Sequence, residues 1–298
     1  MNHLKYIITF FSILLMVCSY TSMAKQYRGL YVDGFDKILG NPILEQQLLD
    51  YCKKNSFNAL CTYKTKDIHK QINITNPNKG GKILASFIKR AKQNYGIESF
   101  AMSSERYETF KNIVAEYNRS RIDTIERVNV FNFEFEFWNR HSTAPGGYYC
   151  KQYLEAANCD CDSSGAFVYY RKELRRIDSL AHATGVKSEI YVGKPNAGQA
   201  KVIANSVDRI LVDIYLKKPE KAYERAADRM SYFSSATKTC CIIPIWGSTD
   251  EFLGEWQITH KLEEAEKIFM DEFALHSKEY PLVVIPGFQW YKYSTMKK

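Results

Sequence analysis

The order of the elements and the length of the chain both indicate a closed (β/α)8 barrel of the TIM type, in the α/β class. Past the first two dozen residues the chain alternates eight short β-rich runs with helical stretches, a pattern typical of a parallel sheet with helical crossovers. Eight such units in about 270 residues match the size of a closed barrel. An open doubly wound sheet is the alternative, but no Gly-x-Gly-x-x-Gly turn follows the first strand to support a dinucleotide site.

Residues 1–24 have the pattern of an export signal. Lys5 is followed by an apolar run from Ile7 to Val17, and Ser22-Met23-Ala24 offers small residues for cleavage. We therefore expect a mature chain from Lys25, one barrel domain over 25–298, and a periplasmic, cell-surface or extracellular location. Acylation at Cys18 is the alternative, although Val17 is larger than the residue that a lipoprotein signal places there. No later stretch is long and apolar enough to cross a membrane.

Each element follows from its local pattern. The predicted strands are 28–35, 58–63, 98–103, 128–137, 187–192, 209–215, 239–246 and 282–289. The predicted helices are 43–55, 79–95, 107–118, 167–184, 197–205, 219–235 and 258–276. The segment 139–165 is too long for an ordinary loop, and it follows the fourth strand at the end of the barrel where active sites are built.

The fourth strand is the most informative segment. It reads Val-Asn-Val-Phe-Asn-Phe-Glu-Phe-Glu-Phe-Trp from residue 128 to residue 138. Side chains alternate across a strand, so Asn132, Glu134 and Glu136 share one face and four phenylalanines share the other. Because the phenylalanine face must meet the surrounding helices, we expect the polar face to point into the barrel, with Glu136 nearest its mouth.

Two inward carboxyl groups on one strand point to acid catalysis. Burial and mutual repulsion both disfavour the charged form, so at least one pKa is expected to rise. An acid that is protonated near neutral pH suits the cleavage of a glycosidic bond. We predict Glu134 and Glu136 as catalytic and Asn132 and Trp138 as substrate-binding. A strand whose acids merely face water at an exposed edge is the alternative, which the phenylalanines disfavour.

Other strand ends supply groups that suit a sugar. Asp213 and Tyr215 lie two residues apart on the sixth strand and can orient a substrate amide or hydroxyl. Glu189 is a third acidic candidate, although a structural role is equally expected so early in its strand. Aromatic rings that can stack on a pyranose lie at or just past predicted strand ends, at Tyr31, Tyr63, Tyr191, Tyr215, Trp246 and Trp290.

These residues resemble the family 18 glycoside hydrolases, the chitinases and endo-β-N-acetylglucosaminidases. The fourth strand of that family carries Asp-x-x-Asp-x-Asp-x-Glu, and this chain has Asn129-x-x-Asn132-x-Glu134-x-Glu136 at the same spacing. The resemblance implies that Glu136 is the acid and that Glu134 positions the substrate N-acetyl group. It also matches Asp213 and Tyr215 to an acid and tyrosine pair of the sixth strand, and Trp290 to the tryptophan that closes the sugar pocket.

Departures from that motif leave two functions open. Asn129 and Asn132 replace aspartates, Glu134 is one methylene longer than the usual aspartate, and the small-residue motif of the third strand is reduced to Ser103-Ser104. The resemblance implies an exported hydrolase of N-acetylglucosamine-containing glycans or glycoproteins that retains anomeric configuration through the substrate acetamide. A direct mechanism using Glu136 with Glu134 or Asp213 belongs to the same class. The alternative is a non-catalytic glycan-binding barrel or an envelope assembly component.

Cysteines and charge limit the other classes. Seven cysteines follow the signal, and an oxidising destination permits a bridge from Cys150 to Cys159 or Cys161. Zinc is disfavoured because Cys-x-Cys lacks the usual ligand spacing and no histidine follows closely. Cys240 and Cys241 lie in an apolar run and are expected to be inert thiols. The net charge of +8 is scattered, so we expect no nucleic-acid partner, and no sequence feature indicates a metal or organic cofactor.

Overall fold

Eight parallel strands form a closed barrel. The computed structural model describes residues 26–296, so the predicted signal, Cys18 and Lys25 lie outside the described residues. The strands are β1 (Tyr27–Val32), β2 (Ala59–Thr62), β3 (Ser99–Ser104), β4 (Val130–Phe133), β5 (Lys187–Val192), β6 (Arg209–Asp213), β7 (Cys240–Gly247) and β8 (Gly287–Tyr291). Each strand pairs with its sequence neighbour, and β8 also pairs with β1. The predicted (β/α)8 barrel is confirmed.

Helices fill the seven connections between these strands. They are α1 (Pro42–Lys54), α2 (Gly80–Tyr95), α3 (Tyr107–Thr109, the π-helical turn Phe110–Val114 and Ala115–Arg119), α4 (Ser163–Ala183), α5 (Ala197–Ala204), α6 (Ala222–Ser234) and α7 (Leu262–His276). The caps follow local chemistry: the Asn41 side chain accepts from two amides at the start of α1, and Gly96 ends α2 in the left-handed conformation. Among residues 26–296, no helix is both long and apolar enough to cross a membrane.

The bounds of several elements differ from the predicted ones. The fourth strand ends at Phe133 rather than at residue 137. The eighth strand begins at Gly287, and Val283–Val284 forms a separate two-residue strand against β7. Pro286 lies between these two pieces and has no amide hydrogen to donate to a ladder. Short helices at Phe35–Ile38 and Thr65–Ile72 were not predicted, and a 3-10 turn at Trp256–Ile258 precedes α7.

The four phenylalanines of the fourth strand pack outward, as predicted from the alternation. Phe131 stacks on Phe110 of α3 at 5.0 Å between ring centroids, and Phe133 stacks on Tyr170 of α4 at 5.1 Å. Phe135 and Phe137 belong to the same large core between barrel and helices. A second, smaller core fills the barrel interior and includes Tyr31, Cys61, Ala101, Val130, Leu211, Ile243 and Ile245. The polar face of the fourth strand therefore turns inward.

The insertion after β4 is folded and cross-linked. It contains a short helix at Arg140–Thr143, a π-helical turn at Cys150–Leu154 and a 3-10 turn at Glu155–Ala157. A disulfide joins Cys150 to Cys161, one of the two predicted pairings, and Cys159 remains a free, half-buried thiol. The thiols of Cys240 and Cys241 are also free, and only Cys240 is fully buried. The bridge fixes the segment that overhangs the barrel mouth.

Candidate active site at the barrel mouth

Glu134 lies at the carboxyl end of β4 and lines an open cavity of about 320 Å³. Its backbone amide donates to the carbonyl oxygen of Ser104 at 3.0 Å, which extends the β3–β4 register one step past the strand. The same cavity is lined by Tyr63, Ser103 and Glu105, and by Tyr148 and Tyr153 of the insertion, among others. The long connection after β4 therefore supplies one wall of the cavity around this carboxyl group.

Burial raises the pKa of Glu134 from 4.5 to about 7. The hydroxyl groups of Tyr31, Tyr63 and Ser103 oppose the rise by stabilising the carboxylate, and repulsion from Glu136 adds to it. The Oε1 oxygen is sealed from solvent and has no hydrogen-bond partner among residues 26–296. The expectation that one acid of this strand has a raised pKa is confirmed, with burial contributing more than repulsion.

Glu136 lies two residues further towards solvent. Its carboxylate accepts a hydrogen bond from Nδ2 of Asn139 at 3.1 Å, and its backbone amide donates to the hydroxyl of Tyr149 at 3.3 Å. Its charge contributes to the raised pKa values of Glu134 and Tyr191. The two predicted carboxyl groups therefore interact at one site, the deeper one at Glu134 and the shallower one at Glu136.

Tyrosine rings surround the deeper carboxyl group. Tyr31 packs on Tyr63 at 5.1 Å and on Tyr291 at 5.8 Å between ring centroids. Tyr215 stacks on Tyr291 at 5.9 Å and on Phe252 at 4.9 Å. Burial raises the pKa of the Tyr31, Tyr63 and Tyr215 phenols, which are thus neutral hydrogen-bond donors near Glu134. Tyr291 belongs to this ring although the predicted eighth strand stopped before it.

Asn132 lies below the carboxyl pair, in the closed interior of the barrel. It is fully buried, and its amide donates to Glu189 Oε1 at 2.9 Å and to the Tyr31 hydroxyl at 3.4 Å. Glu189 in turn pairs with Arg209 at 2.7 Å. A buried carboxylate held by a cation and an amide is structural, so Asn132 acts as a link of this network and does not reach the cavity. The prediction that Asn132 contacts the substrate was therefore wrong.

Asp213 is held by a cation from α6. It forms a close ion pair with Arg229, whose guanidinium also donates to the Gly193 carbonyl at 3.0 Å. Both side chains are largely buried, with 15% and 9% of their area exposed. Arg229 is 16 residues away in sequence, and no strand pattern could reveal this partner. The Asp213 carboxylate, which was predicted to orient the substrate, is therefore already neutralised by Arg229.

Trp138 and Tyr191 are brought to the mouth, whereas two other tryptophans are not. Trp138 is half-buried and meets Tyr191 edge-on at 5.6 Å. Trp246 and Trp290 are fully buried in the outer core and stack on each other at 5.8 Å. Both sit at outward positions of their strands, next to the inward Ile245 and Tyr291. The expectation that these two rings line a sugar pocket was wrong.

Three residues that line the cavity around Glu134 were not predicted from the sequence: Glu105, Tyr148 and Tyr153. Glu105 accepts hydrogen bonds from Tyr148 at 2.9 Å and from Tyr153, and the Arg106 guanidinium lies 4.3 Å from the Tyr153 ring centroid. Glu105 directly follows the Ser103-Ser104 pair that ends β3. Its position could have predicted a role at the site, because polar residues just past the strands of a barrel line its active site.

Few side chains within 26–296 are grouped as metal ligands would be. Cys150 and Cys161 lie near Glu155, but both thiols are consumed by the disulfide. Asp178, His182 and Asp208 lie together at the opposite end of the barrel, where β5 and β6 begin. Neither group lines the cavity around Glu134.

The fold and this mouth define a TIM barrel with a carboxyl pair at the end of its fourth strand. No protein-family model matches the chain, and no curated protein matches it in sequence. Among solved structures, it is similar to the AHE enzyme from Alicyclobacillus herbarius, with a TM-score of 0.52, 10% identity, and 90% of this chain and 89% of that chain covered.

Two glycoside-cleaving proteins are also among the similar structures. A family 1 glycoside hydrolase from Thermotoga maritima aligns with a TM-score of 0.51, 10% identity and coverage of 90% of this chain and 88% of that chain. A chitinase from Chromobacterium violaceum aligns at 0.47 and 10% identity, with coverage of 92% and 96%. At 10% identity, the likeness to the family 1 glycoside hydrolase shows the barrel fold alone.

Proposed function

We propose that this chain is an exported glycoside hydrolase that acts on N-acetylglucosamine-containing glycans or glycoproteins at the mouth around Glu134 and Glu136. The carboxyl group of Glu134 carries the proposal, since it lines an open cavity and its pKa of about 7 keeps it half-protonated at neutral pH. A general acid works best when its pKa lies near the working pH. The Cys150–Cys161 disulfide supports an oxidising destination.

Glu134 is the proton donor in this proposal. The resemblance to family 18 assigns that role to Glu136, but burial favours the protonated form of the deeper acid. Glu134 transfers its proton to the glycosidic oxygen as the bond to the anomeric carbon breaks. The carbonyl oxygen of the substrate's own acetamide attacks that carbon and forms a cyclic oxazolinium ion, with Glu136 orienting the acetamide N–H.

Water completes the reaction on the same face. Glu134, now a carboxylate, accepts a proton from the attacking water as its oxygen bonds to the anomeric carbon. The bond from that carbon to the oxazolinium oxygen breaks at the same time, which regenerates the acetamide and leaves the product with retained configuration. The neutral phenols of Tyr31 and Tyr63 stabilise the carboxylate during this half of the cycle, since both already oppose the rise of its pKa. A similar barrel in Thermotoga maritima is a family 1 glycoside hydrolase, so this fold can support glycoside hydrolysis.

A non-catalytic glycan-binding barrel is the second candidate. The ion pair between Asp213 and Arg229 favours it, because that carboxylate is already neutralised in the protein. The Asn129 and Asn132 replacements have the same effect by removing charge from the fourth strand. Such a protein would keep the aromatic mouth and lose turnover.

The test is product release from chitotetraose and from an N-glycoprotein by the purified protein. We expect Glu134→Gln to lower kcat by about 10²-fold or more, as for loss of a general acid. Glu136→Gln is the matched comparison on the same strand, and Glu224→Gln, at an exposed position on α6, is the control that leaves turnover unchanged. Binding without product in the wild type would reject the hydrolase and support the glycan-binding barrel. A larger loss in Glu136→Gln than in Glu134→Gln would return the donor role to Glu136.

A further inference from the structure

A second cavity, of about 550 Å³, opens beside the mouth between the connections that follow β4 and β5. It is separate in its lining from the cavity around Glu134. Its walls include Trp138, Arg140, Ser163, Lys194, Asn196 and Gln199. Because both connections leave the carboxyl ends of neighbouring strands, the cavity adjoins the proposed cleavage site.

The lining of this second cavity is cationic. Arg140 and Lys194 both border it, and no carboxylate does. Both side chains are exposed, and neither forms an ion pair with any residue of the described chain 26–296. The cavity around Glu134, in contrast, balances Lys64 and Lys66 against acidic residues. Two unpaired cations at one concave surface attract an anion.

The neutral polar groups of the cavity also favour an acceptor ligand. Asn196 and Gln199 cap the start of α5 reciprocally. The side-chain Oδ1 of Asn196 accepts a hydrogen bond from the backbone amide of Gln199 at 2.9 Å, and the side-chain Oε1 of Gln199 accepts one from the backbone amide of Asn196 at 2.9 Å. Both carbonyl oxygens are thus used, while the side-chain NH2 groups keep their donors. Together with the cations they make a surface rich in donors and poor in acceptors.

Trp138 links this surface to the mouth. Its indole meets Tyr191 at 5.6 Å and lies against Gly193, where a Cβ atom would come within 2.7 Å of its Nε1 atom. Glu136 is only two residues earlier in the chain. A glycan that runs from the carboxyl pair over this half-buried ring would bring its next sugar to Arg140 and Lys194.

We propose that the second cavity binds an anionic sugar, bearing a carboxylate or a sulfate ester, adjacent to the residue cleaved at Glu134. The proposal rests on the proposed function and specifies its substrate class as an acidic glycan. The planar guanidinium of Arg140 matches either oxyanion with paired hydrogen bonds, Lys194 adds a point charge, and the amide donors complete the contact.

The test compares three tetrasaccharides with the purified protein. One alternates N-acetylglucosamine with glucuronic acid, the second is its carboxyl-reduced neutral counterpart, and the third carries 6-O-sulfated N-acetylglucosamine. Dissociation constants are measured by calorimetry and kcat/KM by product release. The variants are Arg140→Gln/Lys194→Gln and the matched control Arg171→Gln/Lys172→Gln, which removes the same charges from exposed positions on α4.

We expect the wild type to bind at least one acidic tetrasaccharide about ten-fold more tightly than the neutral one, and the Arg140/Lys194 variant to lose that preference. The control should keep it, and added salt should weaken it. Equal affinity for all three ligands in the wild type would overturn the inference, even if all are cleaved. Selective acidic binding without cleavage would support the cavity and reject the hydrolase. Stronger binding of the carboxylate or of the sulfate identifies the anion.

Discussion

The raised pKa of Glu134 makes the stability of the folded protein depend on pH in a defined direction. The folded-state pKa of about 7 lies above the ordinary value of 4.5, so the native state binds the proton more tightly than the unfolded chain does. The resulting stabilisation is fully present below about pH 4.5 and is lost as pH rises through 7. At 1.36 kcal/mol per pKa unit, the complete effect is about 3.4 kcal/mol.

Replacing Glu134 with glutamine removes this dependence, because the amide has nearly the same shape and does not titrate. Between pH 5 and pH 8 we expect the wild type to lose about 2.5 kcal/mol of unfolding free energy relative to Glu134→Gln. Urea denaturation of both proteins across that range measures the difference. In Glu136→Gln the loss should occur at lower pH, since a repelling charge is gone.

A constant difference in unfolding free energy between wild type and Glu134→Gln from pH 5 to pH 8 would contradict a raised pKa at Glu134. It would mean that the carboxyl group is hydrated and titrates near its ordinary pKa. The cavity would then offer no reservoir of protonated acid, and the donor role proposed for Glu134 would lose its physical basis.

Two further changes test the surroundings of the site. Gly193→Ala should displace the Trp138 indole, which would change the tryptophan fluorescence and weaken glycan binding. The control Gly198→Ala should do neither, because the nearest atom to its added Cβ would be 3.5 Å away. Equal effects of the two substitutions would show that the indole does not pack against Gly193. Replacing Cys150 and Cys161 with alanine should lower the unfolding free energy by about 3 kcal/mol, because the bridge no longer restricts the unfolded chain. Urea denaturation measures this loss, and an unchanged midpoint would show that the insertion does not need the bridge.

Local alternation in the sequence determined much of the fold and the centre of the site. The eight β-rich runs predict the barrel because each strand and helix has its own period in the sequence. The direction of Glu134 and Glu136 also follows from one strand, since four phenylalanines on the opposite face must meet the helices. The nearby Cys150 and Cys161 pair lies within a single loop, where proximity in the chain limits the choices.

The groups that neutralise or bury these residues come from elements distant in the chain and are known only once those elements pack together. Asp213 meets Arg229 from the following helix, and Glu189 meets Arg209 from the next strand, contacts that no spacing encodes. Trp246 points outward into the core between barrel and helices. The sequence of β7 does not predict this direction, because both faces of the strand are apolar. The pKa of Glu134 likewise depends on burial by surrounding elements of the barrel. Alternation is a property of one strand, whereas burial and charge pairing arise only when separate elements pack together.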